Sequence, residues 1–378
     1  MSAQEIILRG CVLKIVADQN MPRVREMFAA YGELHLLAGR EISAADVKDA
    51  DILLVRSVTT VGRDLLAGSS VKFVGSATIG TDHIDLNYLD AAGIGFSHAP
   101  GCNADAVVQY DLSVMCRLMP DWQSKKVGIL GCGNVGGRLY KRLQALQVSC
   151  AVYDPFLSQQ QIPDLGSLDD VLQCDVICVH TPITADGAFP TQHLINARVL
   201  AELRSGTVLI NAGRGAVVDN KALLASLKAD SGLQVALDVW EGEPLLDLNL
   251  MNLVALATPH IAGHSLEGKT QGTQMVFDGF CRWANIVVEA DVANDEDVIL
   301  RLEADSLEEA ILDCYDVALD DQRLREGLRG LKQGSDSIAV VFDRLRKDYP
   351  MRREFSAYTV SYATHDLEQY QRLGFRLG

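Results

Sequence analysis

The chain is predicted to be α/β, with two doubly wound parallel-sheet domains and a small C-terminal α/β module. Three observations predict this. In the first hundred residues, short apolar runs alternate with helical stretches. A second alternating block fills residues 127–259, with six strand-like runs separated by helices. Composition then turns acidic at "EADVANDEDVILRLEADS" before a last mixed segment. Apolar runs alternating with helical patterns are the mark of βαβ units and a parallel sheet. A length of 378 residues suits two or three domains at about 100–200 residues each.

Taken in order, "VLKIVAD" reads as a strand and "MPRVREMFAAYG" as a helix stopped by Gly32. "DILLVRS", "VKFVGSA" and "GIGFSHA" read as further buried strands. A long helical pattern runs from Asn103 to about Met119. The strands of the second block are "KVGIL", "SCAVYD", "DVICVH", "TVLINA", "LQVALDV" and "NLVALATP". Another helix is expected from Ser265 to about Val287, with Gly268, Gly272 and Gly279 as close-packing points. "SLEE" at Ser306–Glu309 has capping-box spacing and opens an apolar-periodic helix. "SIAVVFDRLRKDY", "FSAYTVSYA" and "HDLEQYQRLGF" complete the last module. The helix from Ser306 and the strand "AYTVSYA" are expected to need a second copy to bury both faces, which predicts a homodimer.

Composition excludes several classes. A net charge of −16 argues against nucleic acid or an anionic membrane as partner. No run approaches the ~18 apolar residues of a membrane span. The start, "MSAQEIILRGCVLKIV", lacks a basic segment followed by a long apolar one, so no secretory signal is expected and the location is read as cytoplasmic. Residues 1–11 read as a loose extension. The nine cysteines are scattered without a CxxC. They read as buried free thiols, Cys174 and Cys178 among them.

The chemistry begins at "KVGILGCGNVGGRLYKRL", where Gly131, Gly133 and Gly136 form G-x-G-x-x-G between a strand and a helix. Gly131 permits the tight turn, Gly133 lets backbone approach a pyrophosphate, and Gly136 packs helix on strand. The helix start at Asn134 and Val135 faces the phosphates. Asp154 ends the next strand, where it can hold the adenosine ribose and repel a 2′-phosphate. NAD is therefore expected rather than NADP. An S-adenosylmethionine site is the minor rival.

Further polar groups follow successive strands. Arg214 sits past one strand end, Asp238 ends the next with Glu241 and Glu243 after it, and His260 follows the sixth. These are the strand ends where doubly wound sheets bind ligands. The set fits oxidation of a 2-hydroxy acid. An imidazole takes the hydroxyl proton, a carboxylate stabilises the protonated ring, and a guanidinium binds the substrate carboxylate. Side-chain chemistry alone leaves Glu241 and Glu243 as equal candidates for the carboxylate. His260 and His264 have the i, i+4 spacing of a helical zinc pair, but Pro259 and Gly263 argue against a helix there, and no metal is expected.

The fingerprint, "HTP", "INAGRG", "DVWEGEP" and "TPHIAG" together resemble the D-isomer-specific 2-hydroxyacid dehydrogenase family. The resemblance runs from about Val12 to Val287. It implies two Rossmann-like domains with a cleft between them, the outer one discontinuous. It also implies that Arg214, Glu243 and His260 carry catalysis, with the glutamate before proline as the partner of His260. Thr181, Ala212, Asp238 and Gly263 match positions lining the cofactor. The implied division is 12–104 with 264–287 for substrate, 105–263 for NAD, and 288–378 for dimerisation.

A narrower likeness points to a branch of that family acting on a phosphorylated 2-hydroxy acid. "VRSVT", "GSATIGTDHID", "APGCNA" and "PHIAGHSLEGK" carry it, together with "CYDVALDDQRLR" and "FDRLRKDYPMRREF" in the C-terminal module. On that likeness Ser57, Thr78 and His264 match substrate positions, His264 standing where some relatives have tyrosine. Arg56 beside Ser57 is the expected phosphate cation. "TDHID" reads as helix N-terminal polarity. The basic group Arg344, Arg346, Lys347, Arg352 and Arg353 reads as a solvated helical face, with a reach to the phosphate across a dimer as the alternative. The competing activities are a 3-phosphoglycerate dehydrogenase, another D-2-hydroxyacid dehydrogenase, and an NAD-sensing corepressor on the same fold.

Overall fold

The computed structural model describes residues 12–287, 300–360 and 367–377. The expected loose extension at residues 1–11 and the last residues of "AYTVSYA" lie outside them. The chain divides into two compact units, residues 1–103 with 265–297, and residues 104–264 with 298–378.

The first unit holds five parallel strands in the order β2-β1-β3-β4-β5. They are β1 (Leu13–Asp18), β2 (Gly32–Leu37), β3 (Ile52–Val55), β4 (Phe73–Ser76) and β5 (Gly95–His98). Alternate residues enter cores on opposite faces. Ile15, Ile52, Leu54 and Phe73 join one core, while Val16, Leu53, Val55 and Val74 join the other. This two-sided burial is why these strands read as continuous apolar runs. The helix Leu266–Ala284 covers the first face through Val276, Phe277 and Phe280.

The expected helix over "MPRVREMFAAYG" is only Val24–Phe28, and Gly32 opens β2 rather than ending the helix. A Cβ on Gly32 would lie 2.3 Å from the Leu13 carbonyl oxygen, so only glycine lets β2 approach β1. "GELHLL" alternates polar and apolar residues because it is an edge strand, and that hides it from a search for apolar runs.

The second unit holds six parallel strands in the order β11-β10-β9-β8-β6-β7. These are β6 (Lys126–Leu130), β7 (Ser149–Tyr153), β8 (Val176–Val179), β9 (Val208–Asn211), β10 (Gln234–Leu237) and β11 (Leu256–Ala257). Strand order reverses between β6 and β8, which makes a switch-point crevice at their carboxyl ends. The helix Ala104–Leu118 lies across one face, with Tyr110, Leu112 and Met115 buried. "NLVALATP" is shorter as a strand than expected, because Asn252 and Leu253 close the helix Leu248–Leu253.

The C-terminal residues belong to this same unit. A three-stranded parallel sheet, β12-β13-β14, joins Leu300–Leu302, Tyr358–Val360 and Arg376–Leu377. Ser306 caps the helix Leu307–Cys314 by accepting the Glu309 N–H at 3.1 Å. The Glu309 carboxylate takes the Asp305 N–H instead of closing the box on Ser306. Leu307, Ile311, Phe355 and Tyr370 share a core with Tyr110 and Trp122. Ile338 and Phe342 share another with Leu246 and Leu250. The chain's own second sheet and helices cover the inner faces of these elements among the described residues, so burying those faces is not by itself a reason for a second copy. Arg325 donates to the carbonyls of Met251 (2.9 Å) and Val254 (3.0 Å), and Asp321 accepts the Ala257 N–H at 2.8 Å. These bonds tie the helix Val317–Leu328 to the edge strand β11.

The basic group is not uniformly solvated. Arg352 is buried, lies 3.8 Å from the Tyr315 ring centre and donates to Gln109 Oε1 at 3.0 Å. The cysteines among the described residues are free, and Cys174 and Cys178 are buried. No helix among the described residues is long and apolar enough to cross a membrane.

Candidate active site

In the second unit, Gly131 follows β6 with φ +84°, and a Cβ there would meet Thr181 at 2.9 Å and the His180 carbonyl at 3.1 Å. The glycine is what lets the β6 and β8 ends close on each other. A Cβ on Gly136 would fall 2.0 Å from the Gly131 oxygen, so the helix Asn134–Ala145 packs on its own entry turn. A Cβ on Gly133 meets no protein atom within 4 Å. Its missing side chain leaves open space. No side chain caps the helix at Gly133, so the first N–H groups, beginning at Asn134 and Val135, are left for an anion.

Asp154 accepts the N–H groups of Cys132 (2.9 Å) and Phe156 (3.0 Å) and so fastens the glycine turn to the end of β7. Thr181 is buried, and its hydroxyl has no hydrogen-bond partner among the described residues. An orphaned buried hydroxyl, an uncapped helix start and the open space at Gly133 together fit a dinucleotide.

Arg214 lies in a turn that the Asn211 side chain shapes. Asn211 donates to the Arg214 carbonyl at 3.1 Å and accepts the Gly213 N–H at 3.2 Å. Ala212 lies in the same turn. The turn is pressed onto the next strand end, for a Cβ on Gly215 would sit 2.1 Å from the Trp240 carbonyl. The Arg214 guanidinium is half-buried and donates to the Gly213 carbonyl at 3.0 Å.

Asp238 is buried at the end of β10 and organises the stretch that follows β11. Its carboxylate accepts from Thr258 Oγ1 (2.7 Å), Ile261 N (2.8 Å) and Ala262 N (3.0 Å), and its carbonyl accepts the His260 N–H at 2.8 Å. Burial pushes the Asp238 carboxyl above its ordinary value, against the opposing pull of His260 and these bonds. They hold His260 at φ +55°, a left-handed conformation uncommon outside glycine. In that pose His260 Nδ1 meets Glu243 Oε1 at 2.6 Å. Nε2 is left as the ring nitrogen for a substrate.

Burial works to raise the Glu243 carboxyl. The His260 hydrogen bond and charge, the Trp240 N–H at 3.3 Å and the Arg346 charge outweigh it and hold the group below its ordinary value. Glu241 turns elsewhere, to His193 Nε2 at 2.8 Å and the Asn220 N–H at 3.2 Å. The choice that side-chain chemistry left open is thus settled by geometry: Glu243 is the carboxylate on His260. Past Gly263, His264 closes a turn onto the Ile261 carbonyl at 2.8 Å and packs on Tyr349, ring centres 5.5 Å apart.

In the first unit, Arg56 and Ser57 follow β3 and Thr78 follows β4. Arg56 already has a carboxylate partner. It donates through Nε (2.9 Å) and Nη2 (3.4 Å) to Asp18, which is fully buried. Ser57 is exposed. The Thr78 hydroxyl donates to the Gly80 carbonyl at 2.9 Å and lies 2.7 Å from Ser76 Oγ. Within "TDHID", Asp85 caps the helix Leu86–Ala91. Sequence reading missed Asp18 and Thr258, the residues that hold Arg56 and Asp238. The available signal was a polar side chain ending an otherwise apolar strand.

A family model described as "D-isomer specific 2-hydroxyacid dehydrogenase, NAD binding domain" matches residues 110–262. A second, described as a domain of unknown function, matches residues 293–374. The chain is 48% identical over 360 residues to the erythronate-4-phosphate dehydrogenase of Cellvibrio japonicus, covering 92% of this chain and 94% of that one. It is 49% identical over 360 residues to the protein of the same name from Teredinibacter turnerae, covering 93% and 95%. Among solved structures it resembles NAD+-bound 3-phosphoglycerate dehydrogenase of Entamoeba histolytica, with TM-score 0.62 and 23% identity over 75% of this chain and 99% of that one. That last likeness speaks to fold alone.

Proposed function

We infer the reaction from kinship and site together: the chain belongs to the erythronate-4-phosphate dehydrogenases, within the D-isomer-specific 2-hydroxyacid dehydrogenase family. It is an NAD-dependent oxidoreductase. Its substrate is a phosphorylated 2-hydroxy acid, 4-phospho-D-erythronate, oxidised at C2 to 2-oxo-3-hydroxy-4-phosphobutanoate. The step belongs to pyridoxal 5′-phosphate biosynthesis.

The observation that carries the chemistry is the 2.6 Å contact between His260 Nδ1 and Glu243 Oε1. His260 Nε2 takes the C2 hydroxyl proton as the C2–H bond breaks. Glu243 holds the ring tautomer and stabilises the imidazolium that forms. Arg214 binds the substrate carboxylate and polarises the developing C2 carbonyl. NAD, when bound, accepts the hydride at its nicotinamide ring. Gly131, Gly133 and Gly136, with the helix start at Asn134 and Val135, cradle its pyrophosphate. Asp154 receives the ribose hydroxyls, and Thr181, Ala212, Asp238 and Gly263 line the rest of its site. Ser57, Thr78 and His264 contact the substrate.

The chain acts as a homodimer through its C-terminal module, a reading supported by exposed Leu319, Val340 and Met351 there. Sedimentation of the full chain as a monomer would refute that assembly. The reaction is tested by following NADH formation with 4-phospho-D-erythronate, D-erythronate and 3-phosphoglycerate. The expected order places 4-phospho-D-erythronate first. A flat response across the panel removes the substrate assignment, and no turnover with any of them removes the enzyme reading.

A further inference from the structure

In the first sheet, strand order reverses between β1 and β3. Asp18 ends β1, and Arg56 and Ser57 follow β3, so these residues stand at the switch point where such sheets bind ligands. Thr78 follows β4, held there by the Ala77 N–H to the Val55 carbonyl at 2.9 Å. The helix Leu266–Ala284 passes this strand end closely. A Cβ on Gly268 would lie 2.8 Å from Asn103 Cβ, and one on Gly272 would lie 3.3 Å from the Ala77 oxygen. Lys269 sits between those two close approaches, half-buried and one turn from the contact with Ala77.

The charges at this corner do not balance. Asp18 is spent, since it accepts the Asn20 N–H at 2.9 Å as well as the Arg56 guanidinium. Lys269 has no carboxylate partner among the described residues. Burial, and then the charge of Arg56, hold its ammonium below the ordinary lysine value. Two like charges gathered in a half-buried corner repel each other and are poorly hydrated. An anion between them relieves both penalties.

We propose that Lys269 is the cation that recognises the substrate's phosphate monoester, with the outer face of Arg56 and the Ser57 hydroxyl beside it. This rests on the phosphorylated substrate assigned above. Arg56 neutralises Asp18, and Lys269 supplies the surplus positive charge that a dianion seeks in a protein of net charge −16. Lysine suits the task as a mobile point charge able to meet a tetrahedral group from one side.

The test compares 4-phospho-D-erythronate with D-erythronate on wild type, Lys269→Gln and Lys269→Arg. Lys269→Gln is expected to lose about ten- to a hundredfold in kcat/KM on the phosphorylated acid, mostly through KM. On D-erythronate it should change by no more than about twofold. Lys269→Arg should recover most of the loss. Inorganic phosphate should raise the wild-type Tm and leave Lys269→Gln unmoved, a readout independent of turnover. Equal losses on both acids, or an undiminished preference for the phosphorylated one, overturn Lys269 while leaving the reaction assignment standing. A wild type indifferent to the phosphate overturns the substrate reading and this inference with it.

Discussion

His260 Nδ1 and Glu243 Oε1 stand 2.6 Å apart, although the histidine follows β11 and the glutamate follows β10. The contact exists because Asp238, at the β10 end, accepts the N–H groups of Ile261 and Ala262 and pins the stretch bearing His260 in a left-handed turn. A neighbouring carboxylate, Glu241, is held away by His193 and Asn220.

The two glutamates should separate kinetically. Glu243→Gln is expected to lower kcat by about tenfold to a hundredfold and move the acidic limb of the kcat/KM profile to lower pH, because the imidazolium loses its anion. Glu241→Gln should leave that limb in place. Its cost is to stability, about 1 kcal/mol for a partly exposed pair, or a Tm lower by roughly 2–4 °C. pH–rate profiles and calorimetry on both variants check this, and the reverse pattern would reassign the partner of His260.

Glu243 also predicts a pH dependence of stability. Its carboxyl lies below the ordinary value in the folded chain. A depressed carboxyl contributes stability that is present above its unfolded pKa and is lost as pH falls through the folded one. The window therefore lies below about pH 4. The Tm gap between wild type and Glu243→Gln should be widest near neutrality and close as pH drops through that window. A gap that widens on acidification contradicts the sign.

Asp154 carries two duties that one substitution will expose together. Asp154→Ala should narrow the preference for NAD over NADP, since the repulsion of a 2′-phosphate is gone. It should also weaken NAD itself, because the Cys132 and Phe156 N–H groups lose their acceptor. Those two N–H groups bond different carboxylate oxygens, so Asp154→Asn keeps an acceptor for only one of them and should narrow the preference while weakening NAD less than Asp154→Ala does. Isothermal titration of both cofactors against the three proteins decides it, and a wild type binding both equally would remove the ribose assignment.

The fingerprint glycines should fail in different ways. Gly136→Ala places a Cβ 2.0 Å from backbone oxygen and should impair folding. Gly133→Ala meets no protein atom. It should fold with near-native circular dichroism and lose NAD affinity by tenfold or more, on the order of 1.4 kcal/mol. Tight NAD binding by Gly133→Ala would place the pyrophosphate elsewhere.

Much of this molecule could be read without coordinates, because the forces involved act over a few residues. Two-sided burial wrote the apolar runs of β3, β4, β6 and β8, and close packing of a strand, turn and helix required glycine at 131 and 136. Strand ends marked Arg214, Asp238 and His260. The edge strand β2 escaped because an edge needs only alternate apolar residues. What sequence spacing could not decide was partnership. Glu241 and Glu243 are chemically alike, and only the packing of strand ends sends one to His193 and the other to His260. Arg56 looked available until the sheet order brought Asp18, from another strand, under its guanidinium. Lys269 drew no notice in a helix, yet Gly268 and Gly272 seat its turn against Asn103 and Ala77, at the strand ends of the first sheet. The C-terminal apolar faces looked unpartnered because their cover, the helix Ala104–Leu118 and the second sheet, lies far away in the chain. Local sterics and periodicity are written in neighbouring residues, whereas the pairing of charges and the covering of faces depend on which distant segments the sheet order brings together.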